Sequence, residues 1–160
     1  MRTLSYLLCI FTAFLILPAC QKEFEDPVFV VVPPASSLDT FRVMIDGVAF
    51  PTYGISTTNS SNLINLTASD VRAFQRVSLT VPANVTPGSY PLDYFAKLYF
   101  GVYYPDTSSS LISNPGTIKI ISNNINTKRI AGTFDFNAQT LNGGATVSFL
   151  TNGYFSVKYP

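Results

Sequence analysis

The chain has 160 residues, ten Lys plus Arg against nine Asp plus Glu, and neither histidine nor tryptophan. That length accommodates one domain with a real core, and the near-zero net charge leaves no basic surplus for binding nucleic acid by counterion release. Without histidine, Ser-His-Asp and Cys-His catalysis are excluded, as is a zinc site of the usual ligand types once the cysteines are accounted for.

Met1-Arg2 supplies a positive start, and Leu4 to Leu17 is apolar apart from Ser5 and Thr12. A run of fourteen residues is too short to span a bilayer core, which needs about 20 helical residues. Its length suits a secretory leader, so residues 1–19 are expected to be a signal peptide. Leu17-Pro18-Ala19-Cys20 resembles the bacterial lipobox, which makes Cys20 the expected lipidated first residue of the mature chain. Cys9 lies in the leader, so the mature protein keeps one cysteine and has no internal disulfide. Several acyl chains at about 0.8 kcal/mol per buried methylene would anchor such a protein stably. The competing reading is an ordinary secreted protein cut near Ala19, with Cys20 incidental.

Gln21-Lys22-Glu23-Phe24-Glu25-Asp26 follows at once. It resembles the surface-export signal of Bacteroidota lipoproteins, in which a lysine and acidic residues follow the cysteine. That resemblance implies an outer-membrane protein facing the cell exterior, with Lys22, Glu23 and Glu25 as its export signal; a solvated charged spacer is the alternative. Residues 20–38 are expected to be the lipidated cysteine and a tether. Pro33-Pro34 favours an extended polyproline conformation there, while Val28 to Val32 suits an added edge strand or a position near the membrane.

From residue 39 to 160 the pattern is that of an all-β domain. Gly and Pro together number 20, and Asn, Ser and Thr recur throughout, a mixture that favours short strands and tight turns. Phe41, Val43 and Ile45 alternate with polar or exposed positions, as do Val77, Leu79 and Val81. Ile130, Gly132, Phe134, Phe136 and Ala138 share one parity, and Phe155, Val157 and Tyr159 another. Strands are expected near 41–46, 48–54, 63–68, 76–81, 94–104, 117–122, 128–138, 145–151 and 153–159. Asp46-Gly47 and Asn152-Gly153 are the strongest hairpin signals, because tight hairpin turns need positive φ. Asn114-Pro115-Gly116 and Asn142-Gly143-Gly144 mark two further junctions. The expected architecture is an antiparallel β-sandwich, with a closed or partly open antiparallel β-barrel as the runner-up.

One stretch, "DYFAKLYFGVYYP" at 93–105, is aromatic on both parities. Tyr94, Ala96, Leu98, Phe100, Val102 and Tyr104 form the expected core face. Phe95, Tyr99 and Tyr103, with Lys97 between them, form the opposite face and a candidate binding platform. Tyrosine pairs an apolar body with a hydroxyl, which suits partner surfaces and sugar rings. A central strand buried on both sides is the plainer alternative.

The segments "FRVMIDGVAF", "GTIKIIS", "KRIAGTFDFNAQ" and "FLTNGYFSVKY" occur in that order. Over about residues 41–159 the chain thereby resembles a family of uncharacterised Bacteroidota lipoprotein domains. The resemblance implies a location and a fold but no catalytic residue. A paired-carboxylate hydrolase would have to draw on Asp39, Asp46, Asp70, Asp93, Asp106 and Asp135, and nothing in the spacing brings two of them together. No phosphate cradle or calcium loop motif occurs, so no cofactor and no metal are expected. The sequence therefore points to a non-enzymatic binding or interaction module. Its partners would be the membrane, through the lipid, and an unidentified surface protein or glycan. The alternatives are a structural envelope lipoprotein without a specific ligand and, less favoured, an Asp-dependent hydrolase.

Overall fold

Asp46 and Gly47 occupy the turn the sequence assigns to them. Both have positive φ, 52° and 81°, and Ile45 pairs with Val48 across them. The computed structural model describes residues 38–70, 74–142 and 146–160; the expected signal peptide and nearly all of the tether lie outside these. The strands are β1 (Thr40–Ile45), β2 (Val48–Ala49), β3 (Gly54–Ser60), β4 (Leu63–Asp70) and β5 (Gln75–Pro82). They continue as β6 (Gly88–Pro91), β7 (Phe100–Tyr104), β8 (Leu111–Asn124), β9 (Arg129–Gln139) and β10 (Thr146–Lys158). All form one antiparallel sheet in the order β2-β1-β10-β9-β8-β7-β5-β4-β3, with β6 beside the second half of β8. The sheet is strongly curled into a half-barrel, compatible with the expected sandwich or barrel-like architecture.

Alternation places the core inside the curl. Phe41, Val43, Ile64, Leu66, Val77, Leu79, Ile118, Ile120, Ile130, Phe134, Phe136, Phe155 and Val157 all belong to one buried cluster. Three cross-strand pairs put a glycine directly opposite a phenylalanine: Gly153 with Phe134, Gly132 with Phe155, and Gly116 with Phe136. A Cβ on Gly132 would lie 2.6 Å from the Lys119 carbonyl and 2.8 Å from the Phe155 ring, and one on Gly153 would lie 2.5 Å from the Phe134 ring. The rings occupy the space the missing side chains leave. Phe134 in turn lies 5.5 Å from Phe41 and 6.4 Å from Phe155 between ring centroids, so the glycine-bearing motifs of β9 and β10 assemble a continuous aromatic interior.

Several expected boundaries move, each for a local reason. Asn152-Gly153 is not a hairpin turn: β10 runs through it. Between the pairs Leu150↔Phe136 and Gly153↔Phe134, β10 has two residues where β9 has one. Asn152 takes the positive φ, 54°, of a β-bulge, and the inward set changes from even-numbered Leu150 to odd-numbered Gly153, Phe155 and Val157. The same conformational preference that closes a hairpin here bends a long strand. Asn114-Pro115-Gly116 likewise falls inside β8, where a register shift between Ser113 and Gly116 accommodates Pro115, a residue with no N–H to give a ladder. The expected strand 48–54 is only two residues long, and β3 and β6 replace stretches read as connections. They carry too little apolar alternation to stand out. The Asn142-Gly143-Gly144 junction does separate β9 from β10, with residues 143–145 outside the described set.

Candidate binding surface

The aromatic stretch 93–105 lies where the sheet splits. β6 pairs with β8 over Thr117–Ile120, whereas β7 pairs with β5 and reaches β8 only at Leu111 and Ile112. The chain must therefore leave one neighbour of β8 and come back as the next. It does so in a closed excursion: the Leu92 N–H donates to the Gly116 carbonyl and the Asp93 N–H to the Tyr99 carbonyl, both at 2.9 Å. Asp93 accepts the Phe95 N–H at 2.8 Å and starts a 3-10 turn over Tyr94–Ala96, which Lys97 ends at φ 57°.

This turn overturns the expected strand 94–104 and with it the single face carrying Phe95, Lys97, Tyr99 and Tyr103. Only Phe100–Tyr104 is strand, and a helical turn followed by a left-handed residue breaks the period of two. Tyr103 belongs to the core at 4% exposure, with its hydroxyl pKa raised by burial and by Asp46 and Asp106. Leu98, expected in the core, is 48% exposed, and Phe95 is 55% exposed at the tip of the turn. Lys97 is exposed beside them.

What the fold does bring together is a different aromatic group. Tyr90 of β6 and Tyr99 stack at 4.5 Å between centroids. The Tyr90 hydroxyl donates to the Thr86 carbonyl at 2.9 Å, which holds the stack against the loop after β5. Burial and then the neighbouring Tyr90 raise the Tyr99 pKa, so its phenol stays neutral. Tyr94 meets Phe95 and Phe100 edge-on at 5.9 and 5.4 Å. A groove of about 480 Å³ runs between the Tyr90–Tyr99 stack and the β3–β4 turn, lined by Asn62, Asn84, Thr86, Tyr90, Lys97, Leu98 and Tyr99 among others. Lys97 and Tyr99 of the expected platform thus line a groove, Phe95 flanks its turn, and Tyr103 is withdrawn into the core. Tyr90 escapes sequence reasoning because its partner is nine positions away and the sheet split that joins them is a tertiary event.

A second concavity of about 790 Å³ opens over the β10 bulge, with Arg42, Asp135, Asn152 and Tyr154 on its wall and Phe134 in it. The Arg42 guanidinium lies 4.9 Å from the Tyr154 ring centroid. The signal for it was the Asn-Gly pair, whose positive φ fits a bulge as well as a turn.

The aspartates are dispersed. Asp39 pairs with Arg129 at 3.3 Å, Asp46 accepts the Phe149 N–H at 2.7 Å, and Asp93 caps its turn. Asp106 accepts hydrogen bonds from the hydroxyls and N–H groups of Ser108 and Ser109. These bonds, first the one from the Ser108 hydroxyl, lower its pKa to about 2. Asp70 is buried at the end of β4, and Asp135 faces outward on β9. Among the described residues no cluster of three or more acidic, His or Cys side chains is placed to hold a metal. Cys20, Lys22, Glu23 and Glu25 lie outside the described residues.

Fold and groove together define an all-β domain with a cleft beside its sheet split. Residues 39–157 match a family described as a domain of unknown function, DUF6252, and the chain belongs to that family. No curated protein and no solved structure matches the chain.

Proposed function

We propose that this protein is a lipid-anchored binding module of a bacterial outer membrane, acylated at Cys20 and displayed outward through Lys22, Glu23 and Glu25, as the resemblance to Bacteroidota lipoproteins implies. The observation that carries the binding half is the groove at the sheet split. Its stacked tyrosines and Lys97 lie beside Phe95 and Leu98, two large apolar side chains about half exposed on a turn that backbone bonds hold closed. A rigid display of aromatics costs little ordering entropy on binding, and such residues concentrate interface energy. The dispersal of the aspartates, with Asp39, Asp46, Asp93 and Asp106 each engaged in local structure, favours recognition over paired-carboxylate hydrolysis.

The test is cross-linking capture from intact cells, run beside a glycan array. Phe95→Ala/Leu98→Ala should lose the captured protein or glycan, by about 2 kcal/mol or more of affinity per anchor, with the melting temperature kept. Tyr154→Ala, at the second concavity, should leave capture intact. Cys20→Ala should remove the acyl mass and release the protein from membranes. Equal capture by the Phe95/Leu98 variant would refute the groove, and unchanged membrane partition of Cys20→Ala would refute the anchor.

A further inference from the structure

Antiparallel pairing throughout fixes which turns share an end of the sheet. One end collects the start of β1, the β8–β9 turn and the end of β10, where Arg129 pairs with both Asn124 and Lys158. The other end collects the β1–β2 turn, the end of β4 and the loop after β7. Asp46 and Asp106, from two of these, both act on the Tyr103 hydroxyl, so the grouping is spatial as well as topological.

The two ends differ in charge. Among the described residues, the second end carries Asp46, Asp70 and Asp106 against Arg76, and the first carries Lys128, Arg129 and Lys158 against Asp39. Asp39 is already engaged: it pairs with Arg129 at 3.3 Å and accepts the Lys158 N–H at 2.9 Å. Lys128 and Lys158 are exposed and form no ion pair among the described residues. Lys128 sits at φ 56°, with its ammonium 5.6 Å from the Tyr159 ring centroid. Its carbonyl accepts the Tyr159 N–H at 2.8 Å, which fastens the turn to the end of β10. The other half of the turn is fixed by the Asn124 side chain, which accepts the Asn126 and Thr127 N–H groups at 3.0 Å.

Apolar side chains stand among these cations. Ile125, in the polar turn "NNINTK", is 61% exposed and lies outside the buried cluster. Leu38, whose carbonyl accepts from Arg129 at 3.3 Å, is 76% exposed. A fixed turn that presents an apolar side chain beside unpaired lysines suits a surface that is anionic on top and apolar beneath. A bilayer with anionic headgroups is such a surface. The chain also enters the domain here, since Leu38 follows the segment that carries Cys20.

We propose that this end of the domain docks on the anionic headgroups of a phospholipid membrane, with Lys128 and Lys158 on headgroup phosphates and Ile125 in the interface. The inference rests on the proposed anchor, which keeps the domain near such a surface. Tethering makes docking an intramolecular event at high effective concentration, so a small footprint is enough. The acidic end faces away from the lipid, because the field that attracts the lysines repels it.

The chain lacks tryptophan, so Ile125→Trp and, beside Asp46 at the acidic end, Val48→Trp each supply a single reporter. Each variant is attached through Cys20 to vesicles of brominated phosphatidylcholine, with or without phosphatidylglycerol. Attachment uses the protein's own acyl chains or, where mass spectrometry finds none, a maleimide-bearing lipid, which separates a failed anchor from a failed surface. With phosphatidylglycerol, Ile125→Trp emission should be quenched and should recover in molar salt, where screening acts within about 3 Å. Val48→Trp emission should stay unquenched. Adding Lys128→Ala and Lys158→Ala to the Ile125→Trp chain should lower the docked-to-undocked ratio about fivefold per cation, with the melting temperature kept. No quenching at Ile125→Trp, or equal quenching at both reporters, would overturn the docking. Quenching that neither phosphatidylglycerol nor the two lysines alter would overturn it equally.

Discussion

The β8–β9–β10 sheet and the 88–104 segment are built from the same kinds of residue and use them in opposite ways. In the first, strands of 14, 11 and 13 residues carry Phe134, Phe136 and Phe155 inward, each opposite a glycine that makes room for it. In the second, the chain changes neighbours at the sheet split, and a 3-10 turn turns Phe95 and Leu98 outward. Aromatic content therefore does not distinguish core from surface here. What distinguishes them is whether the backbone stays in the ladder, because a paired strand keeps alternating its side chains between the same two faces and a bulge only resets which parity points inward.

The largest effect should come from the interior. Phe155→Ala is expected to lower the unfolding free energy by about 3–5 kcal/mol, read from a denaturant melt, because the ring is fully buried and packed on Gly132. If the melt barely moves, the glycine–aromatic interior is not what holds the long strands.

Gly132→Ala should cost about 1–3 kcal/mol through overpacking. The added carbon meets a backbone carbonyl that cannot turn aside, and pairing the change with Phe155→Leu should recover part of the loss by clearing the ring. Phe95→Ala, by contrast, should stay within about 0.5 kcal/mol of the parent. A loss as large as that of Phe155→Ala would mean the turn belongs to the core.

The smallest effect is a local titration in the loop after β7. Hydrogen bonds from Ser108 and Ser109 lower the Asp106 pKa from its ordinary 3.8 to about 2. A carboxyl with a depressed folded pKa contributes its stabilisation above the unfolded value and loses it as pH falls through the folded one. The Ser108 and Ser109 amide resonances should therefore shift with a midpoint near pH 2. In Asp106→Asn that transition should vanish. A midpoint near the ordinary carboxyl value would show that the loop does not hold its serines against the carboxylate.

The amino-acid pattern alone determines the all-β class and the inward parity of β1, β5 and β9, because alternation states directly which side of a strand avoids water. It also determines the Asp46-Gly47 turn, since few residues other than these adopt the required positive φ cheaply. The same preference is silent on whether Asn152-Gly153 reverses a chain or bulges it. That depends on whether the neighbouring strands β1 and β9 continue past it, and they do. Likewise Tyr99 and Tyr103, four positions apart, looked equivalent because local spacing assumes one strand through both. Their separation into groove and core was decided only when β6 claimed one half of β8 and β7 the other, so that hydrogen-bond partners distant in the chain fixed where the ladder stopped.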